Sequence, residues 1–312
     1  MKKRYYVLLA LALAFCAVAI LIAPQRYAEC CLRGFLTWAT CVLPSLFPFM
    51  IITLLFIKFG FSQKIAKPFE KVAKFFNLPP VALSCAIMSL ASGYPAGSKM
   101  IKEYYDGKAI TESDAQKLSV LCATAGPTFV IGSVGASVFG DAGVGLKIYL
   151  FHALSSVIIA LIFAIKSKER AKNLLFLPQH SQNAFYDAFY GAVISVAVAG
   201  GFIAFFSCVA QIVQDYGLLF PVEFLLSPLL GNDCARAFAV GLVELTSGCK
   251  ALATTNSPLA VPLCTFLVSM GGLSVLAQQV CYLRPCKVKI KSFLYVKVMQ
   301  SALAFLLTLC FA

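Results

Sequence analysis

Long apolar runs separated by short charged stretches set the pattern of this chain. The first run, 5–23, follows Lys2, Lys3 and Arg4. It is long for a signal peptide and has no polar stretch before an A-x-A site, so it reads as an uncleaved first spanning helix. The bulky Phe15 before Cys16 speaks against a lipobox. The second run, 35–57, carries Pro44 and Pro48, which bend a membrane helix by freeing backbone carbonyls. In 58–80, Lys58, Lys64, Lys67, Lys71 and Lys74 are interleaved with Phe61, Ile65, Phe69, Val72 and Phe76. That mixture predicts a basic helix lying at the membrane interface.

Residues 81–92 are apolar but too short to cross a core of roughly 30 Å at about 1.5 Å per residue. They run into Gly93-Tyr94-Pro95-Ala96-Gly97-Ser98-Lys99. A short arm, a Gly/Pro tip and a second short arm predict a re-entrant hairpin. The charged stretch 102–117 follows and contains a helix start at Thr111 with Asp114 as its reciprocal cap. Residues 118–140 are long enough to span but are interrupted at Gly126-Pro127, and a further span, 146–165, ends at Lys166, Lys168, Arg170 and Lys172.

The same order then recurs. A span over 186–213 leads to a loop, 214–233, with acidic residues and no Lys or Arg. A second short arm, 235–247, ends at Ser247-Gly248-Cys249-Lys250. The run 259–283 is broken at Gly271-Gly272, a basic cluster holds Arg284, Lys287, Lys289 and Lys291, and 293–312 is the last span. Ser89-Leu90-Ala91-Ser92-Gly93 pairs with Glu244-Leu245-Thr246-Ser247-Gly248. Thr124-Ala125-Gly126-Pro127 pairs with Ser269-Met270-Gly271-Gly272. The expected fold is an all-α polytopic membrane protein of seven spans, an inverted repeat with two re-entrant helical hairpins and two broken transmembrane helices. Its divisions are 1–34 (N-terminal transmembrane helix and outer loop), 35–172 (first repeat, inner hairpin) and 173–312 (second, inverted repeat, outer hairpin). The basic loops place the N-terminus inside.

Composition narrows the class. Sixty per cent of residues are hydrophobic and 12% charged, against about 25% charged in soluble domains. A water-soluble enzyme is excluded, and the runs are too long for an outer-membrane barrel. The net charge of +13, from 26 Lys+Arg and 13 Asp+Glu, fits cytoplasmic loops. No helix-turn-helix or aromatic-basic pattern points to nucleic acid. Of the 13 cysteines, Cys85, Cys122, Cys208 and Cys264 sit in apolar runs and read as reduced packing residues. Cys30-Cys31 and Cys281/Cys286 have no His or carboxylate to complete a ligand set, so no metal and no cofactor are expected. Without an H-E-x-x-H, G-x-S-x-G, Walker or G-x-G-x-x-G pattern, no enzyme activity is expected.

Non-helical backbone at membrane depth is tolerated where it lines a cavity, and secondary transporters build their sites that way. The candidate solute-binding residues are Ser92, Gly93, Gly97, Ser98, Lys99, Thr124, Gly126, Pro127, Ser247, Gly248, Lys250 and Gly271. Gly93, Pro95 and Gly97 allow a sharp tip, after which Ser98 and Lys99 open a half-helix whose amides and charge favour an anion. Lys99 reaching to the inner interface is the competing reading. Glu244 is the candidate coupling residue, carrying H⁺ or Na⁺; alternatively it partners Lys250 or backbone N–H groups. The hydroxyls of Ser92, Thr124, Thr128, Thr246, Ser247 and Ser269 bind solute or cap freed backbone. His152 stands alone in its span and reads as a packed, hydrogen-bonded residue, and Phe47, Phe49 and Phe129 as core.

Three segments carry a resemblance: SLASGYPAGSKMI (89–101), CATAGPTFVIGSVG (122–135) and GLVELTSG (241–248). They resemble the nucleoside-recognition, or Gate, domain family, and within it the sporulation integral membrane proteins of the YlbJ, or stage V sporulation protein V, type. The resemblance covers 35–310. It implies a relative of concentrative nucleoside transporters that acts late in endospore formation, moving dipicolinate across the outer forespore membrane. The implied location is the bacterial cell membrane, or the outer forespore membrane in a spore former. The implied partners are a small polar, anionic solute, H⁺ or Na⁺, the lipid bilayer and further copies of the chain. A cation-coupled nucleoside carrier and a non-transporting scaffold of spore assembly stay open as alternatives.

Overall fold

The computed structural model describes residues 2–166 and 183–311. Lys168, Arg170, Lys172 and the division at 172 lie outside the described residues. Among the described residues every regular element is helical. Helix α1 (Lys2–Ile22) is followed by α2 (Pro24–Thr37), a π-helical stretch at Trp38–Val42, and α3 (Leu43–Lys58). Pro24 sits in the first turn of α2, where its missing N–H is no loss. Pro44 and Pro48 have no amide to give to the preceding turn, and hydroxyls add to the bonding of nearby carbonyls. Ser45 Oγ donates to the Cys41 and Val42 carbonyls at 3.1 and 2.9 Å, and Ser133 Oγ to that of Cys41 at 3.0 Å.

The segment expected at the interface is two short helices, α4 (Phe61–Ala66) and α5 (Glu70–Phe75), with a tight turn between them. Lys67, Lys71 and Lys74 are exposed beside exposed Phe69, Val72 and Phe75, while Phe76 turns inward. Then come α6 (Pro80–Ser92), α7 (Ala96–Asp106) and α8 (Glu112–Leu121). The cap expected for α8 is present: the Thr111 hydroxyl accepts from the Asp114 amide at 3.2 Å, and Asp114 accepts from the Thr111 amide at 3.0 Å. After an irregular stretch, Thr128–Phe139 is π-helical, and α9 (Ala142–Lys166) closes this part of the chain. The second part comprises α10 (Ala184–Asp215), α11 (Phe220–Leu230), α12 (Asn232–Val243), α13 (Leu245–Ala253), α14 (Ala260–Met270), α15 (Gly272–Leu283) and α16 (Ile290–Phe311).

Among the described residues five helices are long and apolar enough to cross a membrane, six if the pair Lys67–Phe75 and Pro80–Ser92, bent by 94°, is one span. The protein is a multi-pass, all-helical membrane protein. Of the seven expected spans, the one over 118–140 is divided, with α8 ending at Leu121, while α1 covers the first over Lys2–Ile22. Two segments read as loops are helical. Residues 24–34 lie in α2, continuous with the following span. Residues 220–230 form α11, whose exposed Phe220, Phe224, Leu225 and Leu229 suit an apolar surround better than an acidic loop.

The order of elements repeats. A long span (α2–α3), a short piece (α4–α5), a broken pair (α6/α7), a second broken pair (α8/128–139) and a span (α9) are matched by α10, α11, α12/α13, α14/α15 and α16. The packing between the two sets is reciprocal. Helix α7 lies on α15 and α13 on 128–139, while α9 lies on α14 and α16 on α8. In this order Gly93 stands opposite Glu244. The paired pentapeptides therefore fall on opposite sides of their breaks: Ser89–Gly93 ends at one, and Glu244–Gly248 begins at the other.

Candidate functional site

Three interruptions of helical backbone line one cavity, and the helix that follows a fourth completes its wall. Its lining takes Ser92, Tyr94 and Pro95 from the first break, Gly126 and Thr128 from the second, and Glu244 and Thr246 from the third. Val275 and Gln278 come from α15, which starts at the fourth break. Helices α3 and α10 close the side with Leu46, Ala199 and Ile203. The space open to the centres of water-sized molecules is about 40 Å³. That is enough for a few waters or an ion, and smaller than the several hundred Å³ of a drug-sized ligand pocket.

Each break has its own cause. At the first, Gly93 has φ +75°, and a β-carbon there would lie 2.3 Å from the Gly126 nitrogen, so the first two breaks touch backbone to backbone. At the third, Glu244 is extended (φ −132°, ψ 110°) and caps α13 with its own carboxylate. Oε1 accepts from the Thr246 amide at 3.0 Å and Oε2 from that of Ser247 at 2.7 Å. These amides satisfy both carboxylate oxygens of a side chain that is itself buried. At the fourth, Gly271 has φ +90°, the left-handed conformation that ends α14.

This geometry can be set beside known proteins. No family model matches the chain, and no solved structure matches it. The chain is similar to the sporulation integral membrane protein YlbJ of Bacillus subtilis (strain 168). The two are 25% identical over 336 aligned residues, covering 97% of this chain and 82% of YlbJ. A YlbJ-like sequence and a multi-pass helical structure thus agree over nearly the whole length.

Of the sequence candidates, Ser92, Gly126 and Glu244 line the cavity, and Gly93 and Ser247 support it by the contacts just described. The others serve elsewhere. Lys99 is turned away: its Nζ donates to Gly191 O at 2.7 Å and Ser195 Oγ at 2.6 Å, both on α10. Its reach suits a neighbouring helix carbonyl better than the tip. Lys250 donates to Thr37 Oγ1 at 3.1 Å on the exposed side, so the partners of Glu244 are amides and not Lys250. Gly97 and Gly248 are close-approach positions, where a β-carbon would lie 2.1 Å from Cys122 O and from Gly241 Cα respectively. Ser98 and Thr124 are buried with hydroxyls that find no partner among the described residues. Pro127 precedes the π-helical stretch, and Gly271 turns the fourth break without reaching the lining. Phe129, expected in the core, is at the cavity wall. Among the described residues no group of three His, Cys, Asp or Glu is placed to hold a metal.

His152 is packed and hydrogen-bonded as expected, with partners at the second break and in the last turn before the fourth. One buried residue escaped the sequence reading of the site. Lys297, passed over beside the basic cluster 284–291, is fully buried in α16 and bonds to a third partner in the same region. The signal for Lys297 was present: a lysine in the apolar run 293–312 is unusual at membrane depth.

Proposed function

We propose that this protein is a membrane transporter associated with sporulation, moving a small polar solute by alternating access. The observation that carries this reading is a cavity lined by three of the helix breaks and by α15, the helix that follows the fourth. Interrupted helices supply unpaired amides and carbonyls at one place, and such sites in transporters bind polar solutes near the bilayer midplane. The repeated element order and reciprocal packing support two halves of inverted orientation, with α6/α7 and α12/α13 as hairpins entering from opposite faces, the first from inside. Rocking of one half against the other then opens the cavity to each side in turn. At about 40 Å³ the cavity corresponds to a closed form that must widen to admit a solute.

Similarity to YlbJ, a sporulation integral membrane protein by name, supports the association with sporulation, and the Gate-family resemblance is what suggests the forespore membrane. Together they make dipicolinate the first solute to test. The charge at the cavity favours a second reading. Among the described residues its ionisable lining is Glu244 and Tyr94, and Lys99 faces α10. A carboxylate beside Thr128, Thr246 and Gln278 suits a neutral solute rich in donors, such as a nucleoside, or an anion that enters with H⁺ or Na⁺. Titrating purified protein with dipicolinate and with a nucleoside, with and without Na⁺, separates the readings. Saturable binding of either one, weakened in Glu244→Gln, fits the proposal; binding of neither contradicts it.

A further inference from the structure

The cavity leaves two fully buried ionisable residues unused, His152 on α9 and Lys297 on α16. They occupy matching places in the two halves. The spacing that takes Thr124-Ala125-Gly126 to Ser269-Met270-Gly271 also takes His152 to Lys297, Ser155 to Gln300 and Ser156 to Ser301. All six of these polar side chains are buried. Each half thus ends in a helix carrying the same run, a basic residue followed at the third and fourth positions by polar residues.

Their contacts are reciprocal. His152 Nε2 accepts from the Ala125 amide at 2.9 Å. In a neutral ring the proton is then on Nδ1, which donates to Ser269 Oγ at 2.9 Å. Lys297 Nζ donates to Ala123 O at 2.8 Å and to Gln300 Oε1 at 3.2 Å. So α9 reaches across to the last turn of α14, just before the fourth break, and α16 reaches across to the second. Between them the two side chains take up a carbonyl and an amide freed where α8 ends. Among the described residues no carboxylate pairs with Lys297. A lysine buried at membrane depth without a counter-charge is costly, and such residues are rare outside functional positions.

We propose that His152 and Lys297 are paired positioning residues, each bridging from the last helix of one half to a helix break of the other, and that they hold 122–127 so that Gly126 and Thr128 face the cavity. Neither lines the cavity, so both act through the backbone they bind. The pairing is independent of which solute is carried.

The full-length protein in lipid nanodiscs allows a direct test. The chain has two histidines, His152 and His180, so ¹⁵N-histidine labelling gives two ring spectra, and His180→Gln assigns them. His152 is expected as the neutral Nδ1–H form, and Ser269→Ala is expected to shift it toward Nε2–H. Hydrogen exchange of the 121–126 amides is expected to rise roughly tenfold in Lys297→Met, and to rise also in Ser269→Ala, while distant helices keep their wild-type rates. A wild-type ring in the Nε2–H form overturns the proposal. So does Lys297→Met exchange that is unchanged at 121–126 or raised evenly along the chain. Should Lys297→Met fail to fold, Ser269→Ala decides: no change in ring form and none in local exchange also overturns it.

Discussion

Gly93 and Gly126 meet with no side chain between them, and that contact joins the first helix break to the second. A β-carbon on Gly93 would lie 2.3 Å from the Gly126 nitrogen, and Gly93 also has φ +75°. Gly93→Ala therefore combines a backbone clash with a left-handed conformation that alanine resists, a cost of about 2–4 kcal/mol. The check is the apparent melting temperature in detergent, with Gly201→Ala as control. Gly201 lies within α10 with nothing within 4 Å of its β-carbon position, so that change is expected to be neutral or slightly stabilising.

Glu244 has two roles that substitution separates. Its carboxylate caps α13 through the amides of Thr246 and Ser247, so Glu244→Ala is expected to lower stability by about 1–2 kcal/mol. Glu244→Gln keeps an acceptor for one amide and removes the charge at the cavity wall. Thermal unfolding is expected to show a smaller loss for Gln than for Ala. Uptake driven by a pH or Na⁺ gradient is expected to lose its dependence on the gradient in the Gln variant.

Lys99 bonds to α10 and not to the cavity. Lys99→Met is expected to cost about 1–2 kcal/mol of stability, from two lost hydrogen bonds, and to leave solute affinity within about threefold of wild type. Titration of the purified variant measures the affinity. A loss of a hundredfold or more would return Lys99 to the solute site.

The cap of α8 lies away from the cavity lining. Thr111→Ala removes one half of the reciprocal pair with Asp114 and is expected to cost about 1 kcal/mol in thermal unfolding, with uptake unchanged.

The sequence made the breaks legible because their causes are local. Gly93, Gly126-Pro127 and Gly271 interrupt helices through backbone chemistry that residue type alone dictates, and the Thr111/Asp114 cap follows from spacing. What side chains do after the break was not legible, since it depends on which helix lies opposite. The tip sequence gave Lys99 a free charge, but α10 presents the Gly191 carbonyl within its reach. The 89–93 and 244–248 pentapeptides looked equivalent because both contain Ser-Gly. In the structure a glycine makes one break and a self-capping glutamate the other, and that shifts the register between them. The pairing of His152 with Lys297 was hidden by the difference in residue type, although the spacing that relates Thr124 to Ser269 already contained it.

Uptake into proteoliposomes tests the central claim most directly, because that claim is that the cavity at the helix breaks is a solute path. Radiolabelled dipicolinate and a radiolabelled nucleoside are each offered to vesicles containing wild-type protein or Thr128→Trp, in which an indole fills the cavity from the second break. The account predicts saturable uptake of one of the two by wild type, and its loss in Thr128→Trp with the melting temperature retained. Wild-type uptake no faster than in protein-free vesicles, or uptake undiminished in Thr128→Trp, would contradict it.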